Sequence, residues 1–304
     1  MADHPPGVLA AYLGVVIIWG TTPLAIQWSG QEVGFLFGVT ARMVIGVVLC
    51  SLLVLLLRLP MAWHAQALRA YLAAGLGIYG AMLCVYWGAQ FIPSGWISVI
   101  FGLTPIVTGL LAQRFLGEIR LGGVRLLGIL TGILGLGVVF LGGQQFSENA
   151  WQGLAAVLVA VLLHSISTVW TKRVGYHAHG LVITTGGLLV AVPLYLLSCW
   201  IASVSWPSEI PPRVAASILY LGVVATAGGF SLFFLVLRHM DATRVALLTL
   251  ITPVLALWLG RLFNGEQLTA GIVTGTALIL LGLVLYQYGE RRLRILFSSE
   301  AIKQ

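Results

Sequence analysis

The chain has 304 residues, of which 59% are hydrophobic and only 8% charged, with sixteen Lys and Arg against nine Asp and Glu. Soluble domains carry roughly 25% charged residues, so this chain cannot cover a water-facing surface and its solvent must be lipid. The formal charge of +7 would suit a nucleic-acid partner, but its distribution along the chain argues against one.

A membrane-crossing helix needs about 20 apolar residues. Ten such runs follow in order, at 8–28, 34–57, 68–90, 94–113, 121–142, 151–171, 180–203, 214–237, 242–262 and 268–288. The connections are short and carry turn chemistry, as in Arg58-Leu59-Pro60, Ile92-Pro93-Ser94-Gly95, Trp206-Pro207 and Pro211-Pro212. No linker or low-complexity tract separates the runs, which predicts one all-α integral membrane domain. No Lys or Arg precedes the first run and no small-residue cleavage site follows it, so a removed signal peptide is not expected. Cys50, Cys84 and Cys199 all fall inside apolar runs, and no disulfide framework is implied.

With the N-terminus cytoplasmic, thirteen of the sixteen basic residues fall in inner loops and two, Arg213 and Arg261, in outer ones; Arg42 alone is inside a span. That bias predicts a multi-pass inner-membrane protein with both termini on the cytoplasmic side. It also turns the net charge into a topology signal.

The chain repeats itself. Residues 68–118 overlay 216–266 without a gap, bringing Gly80 onto Gly228 and Thr104-Pro105 onto Thr252-Pro253. Between 104 and 118, six of fifteen positions are identical to their counterparts. Leu13–Gly30 likewise overlays Leu158–Gly175, setting Trp19 at the position of His164. Five spans is an odd number, so the second copy enters the membrane upside down. Inverted repeats are the architecture of secondary transporters. The expected organisation is a first five-helix repeat over 1–145, a second, inverted one over 146–289, a basic cytoplasmic tail over 290–304 and a central cavity between the halves.

Thr104-Pro105 and Thr252-Pro253, each followed thirteen residues later by Gly-Glu, resemble the drug/metabolite transporter superfamily, and within it the doubled EamA-type repeat. Gly128/Gly135, Gly275/Gly282 and Arg42 fit the same pattern. The tyrosines and tryptophans make the chain similar to aromatic amino acid exporters of the YddG type. The resemblance implies a basket of ten helices that exports small metabolites by opposed rocking of its halves.

Cavity candidates come from polar and aromatic residues inside spans. His164, Ser167, Thr168 and Thr171 fall at i, i+3, i+4 and i+7 on one helical face. Such a stripe is costly against lipid and predicts a cavity wall. Trp19 and Thr22 supply the counterpart in the first span, next to Pro23. Tyr79 and Tyr86 share a face of the third span, and Ser98 and Phe101 one of the fourth. Tyr79, Trp19 and Trp170 read either as cavity lining or as core packing, because a buried hydroxyl or indole N–H wants a partner. Phe230 follows Gly228-Gly229. Trp63, Trp151, Trp200 and Trp206 read as interface belts. Pro105 and Pro253, with Gly80 and Gly228, are the expected gating or hinge positions; Pro193 reads as an ordinary kink.

Arg42 reads either as a grip for a substrate carboxylate or as a snorkelling or carbonyl-bonded structural charge. Glu118 and Glu266 precede helix N-termini, where a carboxylate caps the helix dipole.

All nine acids lie in loops or at helix ends. The small multidrug branch of the superfamily implies a glutamate in the first span, where this chain reads Trp19-Gly20-Thr21-Thr22. A substrate neutral overall fits better, such as a zwitterionic amino acid with an aromatic or other apolar side chain. The alternative is a broad-specificity drug or lipophilic-cation exporter, whose cargo an aromatic cage could hold by cation–π attraction. His164 is the one embedded group suited to carry a proton, so facilitation, exchange and proton antiport all stay open. An intramembrane enzyme would need a nucleophile with its base, and the adjacent His164-Ser165 point about 100° apart on a helix. No enzymatic activity, metal or cofactor is expected; the partners are a small-molecule substrate and the bilayer, with no nucleic acid.

Overall fold

In a computed structural model, residues 6–117, 122–142, 149–246, 248 and 252–300 are described, and every regular element is a helix. In chain order these are α1 (Pro6–Gly30), α2 (Phe35–Leu56), α3 (Ala65–Gly88), α4 (Ser94–Phe101), α5 (Thr104–Leu116), α6 (Gly123–Gly142), α7 (Ala150–Val174), α8 (Gly180–Ile201) and α9 (Pro212–Tyr220). A π-helical segment (Leu221–Phe230) leads into α10 (Ser231–His239), followed by α11 (Ala242–Ala246), α12 (Thr252–Asn264) and α13 (Ala270–Glu300). Seven continuous stretches are long and apolar enough to cross a membrane, and Gly123–Val139 and Ala270–Tyr286 are shorter apolar helices.

Three expected spans are not uniform α-helices. The fourth is divided into α4 and α5 just before Pro105, and the ninth into α11 and α12 just before Pro253. Proline has no N–H for the preceding turn, so it is placed in the first turn of a new helix, where none is required. The eighth is α-helical at its ends and π-helical between, with Gly228 in the widened part. Its counterpart Gly80 lies in the unbroken α3, under the side chain of Leu163.

The repeated Gly-Glu has a local cause. Gly117 and Gly265 take φ of +68° and +65° at the ends of α5 and α12. A left-handed residue of this kind ends a helix without steric cost only when it is glycine. Glu118 lies outside the described residues, as do residues 301–304 of the expected tail; α13 carries the helix on from the tenth span to Glu300.

Packing runs through small residues. α6 lies against α13 so closely that a Cβ on Gly128 would come 2.5 Å from the carbonyl of Gly282, and one on Gly135 2.6 Å from that of Gly275. The later residue falls as the earlier one rises, so the two helices are antiparallel. Other pairings are α3 with α7 and α8, α1 with α9, α10 and α12, α2 with α8 and the π segment, α5 with α7 and α11, and α4 with α12. The outer surface is apolar, with Leu13, Ile17, Leu55, Leu130 and Ile133 exposed, and Trp63, Trp151, Trp200 and Trp206 exposed near helix ends. An apolar surface of this extent belongs in lipid.

The glycine contact yields a test. Gly128→Ala or Gly282→Ala forces two backbones apart and is expected to destabilise the protein by about 1–3 kcal/mol. At Gly137 a Cβ meets nothing within 4 Å, so Gly137→Ala is expected to be neutral or to stabilise by up to about 1 kcal/mol. Thermal unfolding of the three variants in one detergent compares them directly.

Candidate substrate cavity

The irregular backbone is gathered around one cavity that is open to its surroundings, about 570 Å³ of atom-free space when the open solvent is included. Trp19, Thr22, Pro23 and Ile26 of α1 form one wall, with Met82 and Val85 of α3 and Ile97, Ser98 and Phe101 of α4. Arg42 of α2, His164 of α7, Phe230 at the end of the π segment and Thr252 at the start of α12 complete it. Pro23 removes the N–H that Trp19's carbonyl would receive, and Pro105 does the same for Phe101. Both affected residues face the cavity, which is where irregular backbone is tolerated at membrane depth.

An aromatic cluster organises the floor. The Trp19 ring meets His164 edge-on at 5.7 Å and Phe230 at 6.3 Å, and stacks on Phe233 at 5.1 Å. His164 lies 6.1 Å from Phe101 and 5.4 Å from Phe233. A second lobe of about 270 Å³ shares Met82, His164 and Phe230 with the cavity and adds Ser167, Thr168, Phe233 and Phe234.

Six of the eleven residues expected at the substrate line the main cavity: Trp19, Thr22, Ser98, Phe101, His164 and Phe230. Ser167 and Thr168 line the second lobe, although their hydroxyls donate to the carbonyls of Ala73 and His164 at 2.8 Å. The other three are elsewhere. The Tyr79 hydroxyl is 2.7 Å from that of Ser198, and its ring packs on Tyr195, tying α3 to α8. Tyr86 is buried, its hydroxyl accepting a bond from Ser29 at 3.2 Å. Trp170 is 42% exposed on the outer face, in a groove with Leu111, Phe115 and Arg173. Ser165 accepts a bond from Thr108 at 3.0 Å, joining α7 to α5, and does not pair with His164.

Thr252 and Phe233 were not among the expected site residues. Phe233 had a sequence signal, since Phe230, Phe233 and Phe234 repeat at i, i+3 and i+4.

A polar cluster gathers at the ends of α1, α4 and α12. The Glu266 carboxylate accepts from the N–H and hydroxyl of Ser94 at 2.9 and 2.5 Å, and from the N–H of Gly95 at 3.1 Å. It therefore caps α4, not the helix that follows it in sequence, which corrects the local capping expectation. A carboxylate there meets both the free N–H groups and the positive end of the helix dipole. Asn264 donates to Glu266 at 3.3 Å and to Gln27 at 2.8 Å, and accepts from the Trp28 indole at 3.3 Å. The ends of α1, α4 and α12 are thereby held together.

Arg42 is 2% exposed. Its Nε donates to the hydroxyl of Thr226 in the π segment at 2.8 Å, while Nη1 is buried without a hydrogen-bond partner. Among the described residues, no Asp or Glu lines the cavity. Among the described residues, no cluster of three or more His, Cys, Asp and Glu could hold a metal ion.

The family description "EamA-like transporter family" matches the chain twice, over residues 5–141 and 151–288. The uncharacterized transporter YoaV of Bacillus subtilis is 26% identical, covering 95% of this chain and 99% of its own. A probable terminal-alkyne amino-acid exporter of Streptantibioticus cattleyicolor is 27% identical over 90% of this chain and 95% of its own. An S-adenosylmethionine/S-adenosylhomocysteine transporter of Chlamydia muridarum is 26% identical over 98% and 96%. One crystal structure shares the fold with a TM-score of 0.70 at 20% identity, over 95% of this chain and 99% of that one. Matched along both halves, the chain belongs to the EamA-like transporter family of the drug/metabolite transporter superfamily, as a multi-pass membrane protein that moves small molecules by secondary transport and is not an enzyme.

Proposed function

We propose that the chain exports small zwitterionic metabolites, foremost aromatic and other apolar amino acids, across the inner membrane by alternating access. The observation that carries this reading is the composition of the cavity wall: aromatic and aliphatic side chains, a few hydroxyls, Arg42 and His164 and, among the described residues, no carboxylate. A lipophilic cation would find rings there but no counter-charge. Pockets for small molecules are mostly apolar with a few placed polar groups. Two relatives are named for amino-acid-type cargo, a terminal-alkyne amino acid and S-adenosylmethionine.

Alternating access rests on two halves, 1–145 and 146–289, inverted with respect to each other. The pairings support this. Exchanging α1 for α7, α2 for α8, α3 for the α9–π–α10 span, α4 and α5 for α11 and α12, and α6 for α13 turns the pairings named above into others that are present, although α1 with α2 and α4 with α7 have no such counterpart. Thus α5 with α7 becomes α12 with α1, α4 with α12 becomes α11 with α5, and α3 with α8 becomes the π segment with α2. The Gly128–Gly282 contact becomes Gly275–Gly135. Equivalent positions Trp19 and His164 meet, as residues beside a two-fold axis must.

With both termini cytoplasmic, the Glu266 cluster lies on the outer side and the second lobe on the inner side. The cluster then serves as the outer gate, and His164, Ser167 and Thr168 line the inner route. Pro105 and Pro253 open the half-helices that tilt with each half, with Gly228 in the widened segment as a hinge and Gly80 as its straight counterpart.

Counterflow in proteoliposomes tests the substrate: unlabelled phenylalanine inside is expected to drive transient, stereoselective accumulation of external tracer, competed by tryptophan and methionine. No accumulation by folded protein would sink the amino-acid reading in favour of lipophilic cations. Trp19→Ala and His164→Ala are expected to lower flux about three- to tenfold through lost ring contacts, whereas Trp170→Ala leaves it unchanged. Equal effects of all three would remove the cavity assignment. For the gate, Glu266→Ala strips the cap from α4 and is expected to speed labelling of a cysteine at position 22 by an impermeant maleimide added outside. Unchanged labelling would show that the cluster does not seal that face.

A further inference from the structure

We infer that Arg42 is the substrate's carboxylate ligand, so that the carrier selects molecules with a free carboxylate over their amides and amines. The inference rests on the proposed cavity being the transport site, and it goes beyond that proposal by assigning the recognised group and the residue that recognises it.

Arginine stays ionised in proteins and presents five N–H donors in a planar fork. At Arg42 the fork is only partly used. Nε is bound by Thr226, and Nη1 is buried with no partner. The side chain lines the cavity and is 98% buried, being 2% exposed. A buried cation ordinarily finds an anion, because an unpaired charge in low dielectric is costly. No acidic side chain on the cavity wall provides one. The four acids Glu32, Glu209, Asp241 and Glu266 sit in loops between helices, and Glu266 is engaged by the end of α4.

A second feature adds to the same field. α12 begins at Thr252 on the cavity wall, so the positive end of a thirteen-residue helix is presented there. Half-helix N-termini at the bilayer midplane are suited to anionic groups of a substrate. Arg42 and α12 together make the cavity attractive to a carboxylate, and the rings of Trp19, Phe101 and Phe230 accept the apolar remainder. Thr226 holds Nε, which leaves Nη1 to donate to the carboxylate.

The test uses the full chain in proteoliposomes, with the fluorescence of its tryptophans, Trp19 among them, as a binding signal independent of flux. Phenylalanine and 3-phenylpropionate are expected to perturb the signal and compete with each other, while phenylalaninamide and phenethylamine are at least about tenfold weaker, in line with a lost charge-assisted bond. Arg42→Gln is expected to abolish that preference and Arg42→Lys to keep it in weakened form, since ammonium supplies the charge without the fork. Amides that bind as well as acids to the wild type overturn the inference even if Arg42 variants fail to fold. Folded Arg42→Gln that carries phenylalanine with unchanged half-saturation overturns it too, and leaves the transport proposal standing. If the wild type carries no amino acid, that proposal falls by itself. The same acid-against-amide comparison on a panel of monocarboxylates then decides the inference, a preference for acids upholding it and none defeating it.

Discussion

In hydrocarbon no water stands ready to satisfy a peptide group, so a helix can be interrupted only where other protein or a cavity takes over. The rest of this structure depends on that constraint. Pro23, the gap between α4 and α5, the start of α12 and the end of the π segment within the eighth span all border the same cavity. α2 and α3 run without interruption, while Pro193 lies inside α8 away from the cavity wall. Most of the described backbone irregularity thus collects at the cavity and gives it its shape.

One asymmetry between the halves has a physical account. α2 and α8 are both 22 residues long. Aligned from their first residues, Arg42 corresponds to Gly187. Gly187 sits where a Cβ would be 3.1 Å from that of Ala74, so α3 closes onto α8 and remains an α-helix. Arg42 faces the corresponding span of the other half, where its side chain must be housed and held. There the helix widens to a π form that offers Thr226 to the guanidinium. Gly46 beneath the Thr226 methyl and Gly222 against the Arg42 carbonyl keep the backbones close despite the wider turn. π turns recur at functional sites for this reason, since they change which side chains a helix presents without ending it.

How much of this was legible in sequence depended on whether the signal was local. Span positions followed from apolar runs, and the fold of the fourth and ninth spans from Thr-Pro. The stripe His164, Ser167, Thr168 was legible because spacing alone defines a face. Trp170 was misread against the same rule: at 100° per residue it lies about 110° from the centre of that stripe, which turns it toward lipid. Tyr79 could not be placed, because a shared face does not say which neighbour it meets, and Ser198 satisfies its hydroxyl. Glu266 was read as a cap from its position before a helix, yet the helix it caps is 172 residues away in sequence. Gly260 makes that possible, since a Cβ there would collide with the carboxylate. Such a pairing is a property of the assembled bundle, and no window along the chain contains it.

Placing a cation in the wall of a membrane cavity sets terms for how the carrier can work. A ligand drives a conformational change only through a difference in its affinity for the two states. Arg42 is anchored in α2 but bonded to Thr226 on the eighth span, across the junction that the proposed rocking would deform. A substrate carboxylate that engages the guanidinium acts at this junction and not on one half alone. Under the proposed rocking, the same bond would limit how far Arg42 follows the substrate, making the contact stronger in some geometries than in others. That is the requirement for a carrier: tight binding in every state would trap the cargo, and an unpaired buried charge in every state would be too costly to keep.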